Sequence, residues 1–203
     1  MNKIVSKRLT AYLLDIFLIY LLISLIVSIK FINPYYDKFE TFYEEYTNIV
    51  EQYSKKEITL EEMNELTKDS LYKISKYSIS TNIVSVLVII GYFGLFQKYN
   101  NGQTLGKKVT KIKVVDKNEQ NPKLGYYLIR LLFIYYIFIG SIIPFIINSI
   151  LLCLLNTNIY ILLSSIITYI FLGIGIIDLV MICIRKDKCG IHELISKTKV
   201  VNE

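Results

Sequence analysis

Four ionisable side chains stand in, or at the mouth of, runs that are otherwise apolar. Arg8 and Asp15 belong to the run Leu9 to Ile29, Arg130 to Tyr126–Leu155, and Asp178 to Ile159–Ile184. An aspartate near the centre of a membrane span costs roughly 2.5–3.5 kcal/mol on insertion scales, so such residues face a bundle interior and take partners there. Arg8 and Asp15 are seven residues apart, which on a helix returns to nearly the same face about 10.5 Å further along. The arginine leans toward the N-terminus, away from Asp15, so Asp15 needs a partner from another segment. Counted from one end of the bundle, Asp15, Arg130 and Asp178 all fall about 7–10 Å deep at 1.5 Å per residue. The expectation is that Arg130 lies between Asp15 and Asp178 and holds both by charge-assisted hydrogen bonds. Arg8 and Glu193 then form a second ring nearer the surface. Two carboxylates against one guanidinium leave the inner set short of one positive charge, which a proton or a sodium ion would supply.

These side chains need helices to carry them. The 203 residues are 53% hydrophobic with 20% charged and a mean hydropathy of +0.45, which suits one membrane domain with polar attachments. The apolar runs are Leu9 to Ile29, Ser78 to Phe96, Tyr126 to Leu155 and Ile159 to Ile184. The third exceeds the ~20 residues that cross upright, so a kink at Pro144 and tilt must absorb the excess. The first follows Lys3, Lys7 and Arg8 as a signal peptide would, but its length and the lack of a small-residue cleavage site make it an anchor. Between Asp37 and Tyr77 ten acids oppose six bases, a net −4, which leaves +10 for the rest of a chain whose total is +6. The basic segments flank apolar runs, so this asymmetry reports topology and not nucleic-acid binding. Four spans put both termini on the cytoplasmic side.

The segment 34–77 is then extracytoplasmic. Phe39, Phe42, Tyr46, Ile49 and Tyr53 recur at helical spacing, and Thr59 with Glu62 is a capping-box start. Two amphipathic helices meeting at Ser54 to Ile58 are expected, packed on each other or offering Tyr43, Tyr46 and Tyr53 to a partner. In the cytoplasmic loop, 98–125, the stretch Gly102-Gln-Thr-Leu-Gly106-Lys107 is one residue short of a nucleotide phosphate loop, lacks the hydroxyl after the lysine and follows a span. Nucleotide binding is therefore not expected. Lys111 to Asp116 alternates as a strand does, and Thr198 to Val201 in the tail, 185–203, is a second β-prone piece able to pair with it.

Other chemistries fare less well. Cys153, Cys183 and Cys189 make no CxxC pair and read as free thiols, and the lone His192 completes no metal set. An intramembrane aspartyl protease would need Asp15 and Asp178 to share a proton. Gly173-Ile-Gly175-Ile-Ile-Asp178, however, places the aspartate two residues later than such a motif requires. No catalytic residue, metal or cofactor is assigned.

Arg8-Leu-Thr-Ala-Tyr-Leu-Leu-Asp15, the central Gly102 to Lys107 stretch with Lys113-Val-Val-Asp116 and Arg130, and the closing Ile191-His192-Glu193-Leu-Ile195 with Thr198 occur in order along the chain. In these motifs the chain resembles the RDD family of small multi-span membrane proteins, named for an arginine and two aspartates. Glu193 stands where the family's second aspartate is usual, and Lys197 replaces a small residue before Thr198. The resemblance implies one membrane domain over 1–203, for which transport, including sodium–proton exchange, has been proposed in some members. The expected fold is an all-α integral membrane protein with four transmembrane helices, a helical hairpin outside and a small β element inside. The expected function is transport of a small ion or ligand through the cluster Asp15, Arg130 and Asp178. The alternative is an accessory, immunity or assembly protein working through the hairpin. Expected partners are the bilayer, a second copy or another membrane protein, and a proton or sodium ion.

Overall fold

The structure is a computed structural model, and it describes residues 3–133 and 142–203. Helix α1 (Lys3–Val27) realises the first apolar run. Helices α2 (Tyr36–Ser54) and α3 (Leu60–Tyr77) form a packed pair, in which Phe42 stacks on Tyr77 at 5.8 Å and Lys73 lies over the Phe42 ring. The expected capping box starts α3: Thr59 Oγ1 accepts from the Glu62 N–H at 3.2 Å, and Glu62 accepts from the Thr59 N–H at 2.8 Å. That arrangement satisfies end donors which helix geometry otherwise leaves unpaired. Across Ser78, α3 continues into the long apolar helix Ile79–Tyr99, made of α4 (Ile79–Ile89), a π-helical stretch (Ile90–Phe96) and α5 (Gln97–Tyr99). A single short helix, α6 (Leu105–Val109), precedes strand β1 (Ile112–Asp116).

Two shorter apolar helices follow, α7 (Leu124–Phe133) and α8 (Ile142–Leu154). The expected third span is therefore described as two stretches, whose junction lies outside the described residues; Pro144 is one of the buried residues of α8. Asn156 caps α9 (Thr157–Ile184), and α10 (Ile191–Ser196) leads into strand β2 (Thr198–Asn202). Among the described residues, three helices, Lys3–Val27, Ile79–Tyr99 and Thr157–Ile184, are long and apolar enough to cross a membrane.

The expected strand pairing is present. β1 and β2 are antiparallel, with Ile112 opposite Asn202 and Asp116 opposite Thr198. Ile112, Val114 and Val200 point from this sheet into a cluster with Ala11 of α1 and Tyr127 of α7. A two-stranded ribbon has little stability alone, and this packing supplies the third layer it needs. A second core of Ile16, Ile19, Ile89, Phe93, Leu131 and Ile142 joins α1, the long apolar helix, α7 and α8. The sheet, α6 and α10 thus form a cap on the end of the bundle that holds Arg8, Asp15 and Asp178. The α2–α3 pair lies toward the start of α9, where Tyr72 meets Tyr160 edge to face at 5.5 Å.

Candidate functional site

Asp15 is almost fully buried and receives three hydrogen bonds. The Gly106 N–H donates to its Oδ1 at 2.8 Å, the Tyr92 hydroxyl to Oδ1 at 2.7 Å, and the Thr104 hydroxyl to Oδ2 at 2.5 Å. The two hydroxyls are themselves acceptors, Tyr92 from the Leu105 N–H at 3.0 Å and Thr104 from the Lys107 N–H at 3.3 Å. All three leading N–H groups of α6 therefore end on one carboxylate, one directly and two through a hydroxyl. A helix start offers unpaired donors and positive potential, which a carboxylate satisfies. The Gly102 to Lys107 stretch is thus an anion-holding loop, and the anion it holds is the protein's own Asp15.

The two glycines of that loop have distinct reasons. A Cβ on Gly106 would collide with the Ala11 carbonyl oxygen and lie 2.8 Å from Asp15 Oδ1, so only glycine lets α6 press onto α1. Gly102 has φ +83°, and its Cβ would collide with the Val114 carbonyl. Buried Gln97 ties the loop down: its Nε2 donates to the Gly102 carbonyl at 3.0 Å, and its Oε1 accepts from Lys107 Nζ at 3.3 Å.

At the other side of the cap, Asp178 accepts from the His192 backbone N–H at 3.1 Å and from His192 Nδ1 at 2.8 Å. Gly190 makes room, since a Cβ there would stand 2.5 Å from Asp178 Oδ1. Burial pushes the His192 imidazole below its ordinary value, helped by Arg130 and opposed by Asp178. Glu193 Oε2 accepts from Arg8 Nη2 at 2.6 Å and from the Gly190 N–H at 2.9 Å, while Oε1 accepts from Arg130 Nη1 at 3.4 Å. Burial alone would raise the Glu193 carboxyl; Arg130 and Arg8 override it and hold the group at about 2. Arg130 also donates to Thr198 Oγ1 at 2.9 Å, and Arg8 donates to the Lys188 carbonyl.

The expected second ring of Arg8 and Glu193 exists. The inner arrangement differs: Arg130 is bonded to Glu193 and Thr198, not set between the two aspartates. Each aspartate instead takes partners from the cap. The charge count changes with it, because Arg8, Arg130 and Lys107 now face Asp15, Asp178 and Glu193, and the one-charge deficit disappears. Glu193, one methylene longer than aspartate, reaches both arginines from α10. Lys197 occupies the left-handed C-cap of that helix at φ +53°. Tyr92 and Gln97 were not among the expected site residues, although Tyr92 is the lone tyrosine in its apolar run and Gln97 the first polar residue after it.

Arg8, Asp15, Lys107, Arg130, Asp178 and His192 all border one cavity of about 470 Å³ between α1 and α9. Lys107 is held there by Gln97 and by the Phe93 ring, 5.6 Å from its ammonium. Burial pulls that ammonium down to about 7, with Arg130 adding to the shift and Asp15 opposing it.

Long apolar helices whose ends are clamped to a small mixed cap by buried charges define a helical protein of membrane type. The RDD family model matches residues 4–197, and the chain belongs to the RDD family. No curated protein matches the chain, and no solved structure does.

Proposed function

We propose that this RDD protein crosses the bilayer four times, with both termini and the cap in the cytoplasm. On this reading the run Tyr126 to Leu155 supplies the third crossing, and the acidic hairpin α2–α3 lies outside. The support is that the basic loop and tail gather at one end of the bundle while the net −4 segment lies toward the other, as the positive-inside rule favours.

The reading the geometry supports best is transport of a small solute through the cavity beneath the cap. One observation carries it: six ionisable side chains converge on a cavity of about 470 Å³ inside an apolar bundle. That volume falls in the roughly 300–1,000 Å³ range of small-molecule sites. Asp15 already accepts three hydrogen bonds, with which a sodium ion there would have to compete. A proton exchanged at Lys107, or an anionic group bound to it, needs no such displacement. Liposomes containing the purified chain test this: solute or proton flux under a pH or sodium gradient supports it, and flux no greater than empty liposomes refutes it.

A second reading has its own support. α2 buries none of its residues, and Tyr43 and Tyr53 stand exposed on it, as a docking surface for a membrane-protein partner would require. Loss of function on deleting 36–77 alone, with the cavity intact, would favour that accessory role.

A further inference from the structure

The buried charges of the cavity are not equally committed. Arg8 and Arg130 are spent on Glu193, His192 on Asp178, and Asp15 has three donors. Lys107 differs. Its ammonium borders the cavity, yet among the described residues no carboxylate lies within ion-pairing distance of it. Its oxygen partner is a neutral amide at 3.3 Å, longer than the ~2.7–2.9 Å of charge-assisted bonds. A buried cation facing an apolar space with no carboxylate in bonding contact is costly unless something supplies an anionic oxygen.

The walls say what else the ligand carries. Leu9 and Tyr12 of α1 face Leu172, Ile176, Leu179 and Ile182 of α9 across the cavity. Leu9 and Ile176 border the cavity and are 49% and 55% exposed, as residues at a sideways opening between the two helices would be. In a membrane that opening meets lipid. An entering molecule would keep its chain against leucine and isoleucine and place its head under the cap. About 470 Å³ fits one alkyl chain, and a two-chain phospholipid would have to leave its second chain outside in the bilayer.

We infer that the cavity binds a single-chain anionic amphiphile, its acidic head on Lys107 and its alkyl chain between α1 and α9. This deepens the transport reading and rests on it only for the motion, since binding can occur without flux. Carboxylate and phosphate heads share the required chemistry, an anionic oxygen that accepts from the ammonium. The chain selects single-chain molecules, and Lys107 selects against cationic ones.

The full chain in phosphatidylcholine nanodiscs is photolabelled with a fatty acid carrying a diazirine on its chain, and the adducts are mapped. The expected result is labelling concentrated within 9–12 and 172–182, displaced by dodecyl phosphate and not by dodecyltrimethylammonium. Lys107→Gln should weaken displacement by dodecyl phosphate about tenfold, the scale of one hydrogen bond to a charged group, and Lys107→Arg should restore most of it. Ile176→Trp, which fills the cavity from its outer wall without touching the charges, should abolish the concentrated labelling in a protein that still melts cooperatively. Adducts spread evenly over lipid-facing positions, or equal displacement by both detergents, overturn the inference. Mapped cavity labelling in a protein that moves no solute in liposomes would sink the transport reading and leave the site. Ion flux with even labelling would do the reverse.

Discussion

Thr104→Val replaces a hydroxyl by a methyl of similar volume at a position with no exposed surface. Two bonds disappear: the 2.5 Å donation to Asp15 Oδ2 and the 3.3 Å acceptance from the Lys107 N–H that caps α6. A hydrogen bond to a charged group is worth about 1.5–3 kcal/mol and an N-cap about 1 kcal/mol. Asp15 keeps two donors, so the full penalty of an orphaned buried charge, about 3–5 kcal/mol, is not incurred. The expected loss is thus about 2.5–4 kcal/mol, or roughly 5–16 °C at 2–4 °C per kcal/mol for a chain of this size. Thermal unfolding of the detergent-solubilised protein, followed by circular dichroism, reads it directly. Thr104→Ser keeps the hydroxyl and should lose only about 1 kcal/mol, the worth of one buried methyl. In an Asp15→Asn background the Val substitution should cost less, because the acceptor has lost its charge. If Val and Ser behave alike, or the two sites are additive, Thr104 does not act through Asp15.

Gly106→Ala should destabilise more than Gly102→Ala, since it drives α6 off both the Ala11 carbonyl and Asp15, whereas Gly102 strains a loop and the edge of β1; the same melts compare them. Because Glu193 sits at about 2 in the folded chain, its contribution is complete above its ordinary value of 4.5 and is lost as pH falls from there toward 2, and Glu193→Gln should flatten that acid limb. Lys107 has the opposite sense: between about 7 and its ordinary 10.5 the unfolded chain binds the proton and the folded chain does not, so stability should rise with pH there, and Lys107→Met should remove the slope. Protease added outside right-side-out cells should cut at Lys55 or Lys56 and spare Lys107 to Lys123; the reverse pattern overturns the proposed topology.

Much of the architecture was legible because it rests on periodicity. The apolar runs, the capping box at Thr59 and the pairing of β1 with β2 follow from residue spacing alone. That Asp15, Arg130 and Asp178 gather at one end of the bundle was legible too, since residue count along a helix gives rise directly, and all three border one cavity. Azimuth was not. Nothing in the spacing says which way Arg130 faces around its axis, and it turned toward Glu193 and Thr198. The aspartates' partners were hidden for another reason: apart from Tyr92 they lie in or beside short cap elements whose positions depend on tertiary packing. The Gly102 to Lys107 stretch was correctly set apart from a nucleotide loop, yet its donors were aimed at an anion all the same, one that lies 89 residues before Thr104.

Gly106, Thr104 and Asp15 act as one unit, with the first turn of α6 docked on Asp15. Amide hydrogen exchange at Leu105, Gly106 and Lys107, read by NMR on selectively nitrogen-labelled protein, tests it most directly. Slow exchange is expected at all three amides in the native chain, with collapse of that protection in Asp15→Ala while the amides of β1 paired with β2 remain slow. Fast exchange at Gly106 in the native chain, or protection that survives Asp15→Ala, would contradict it.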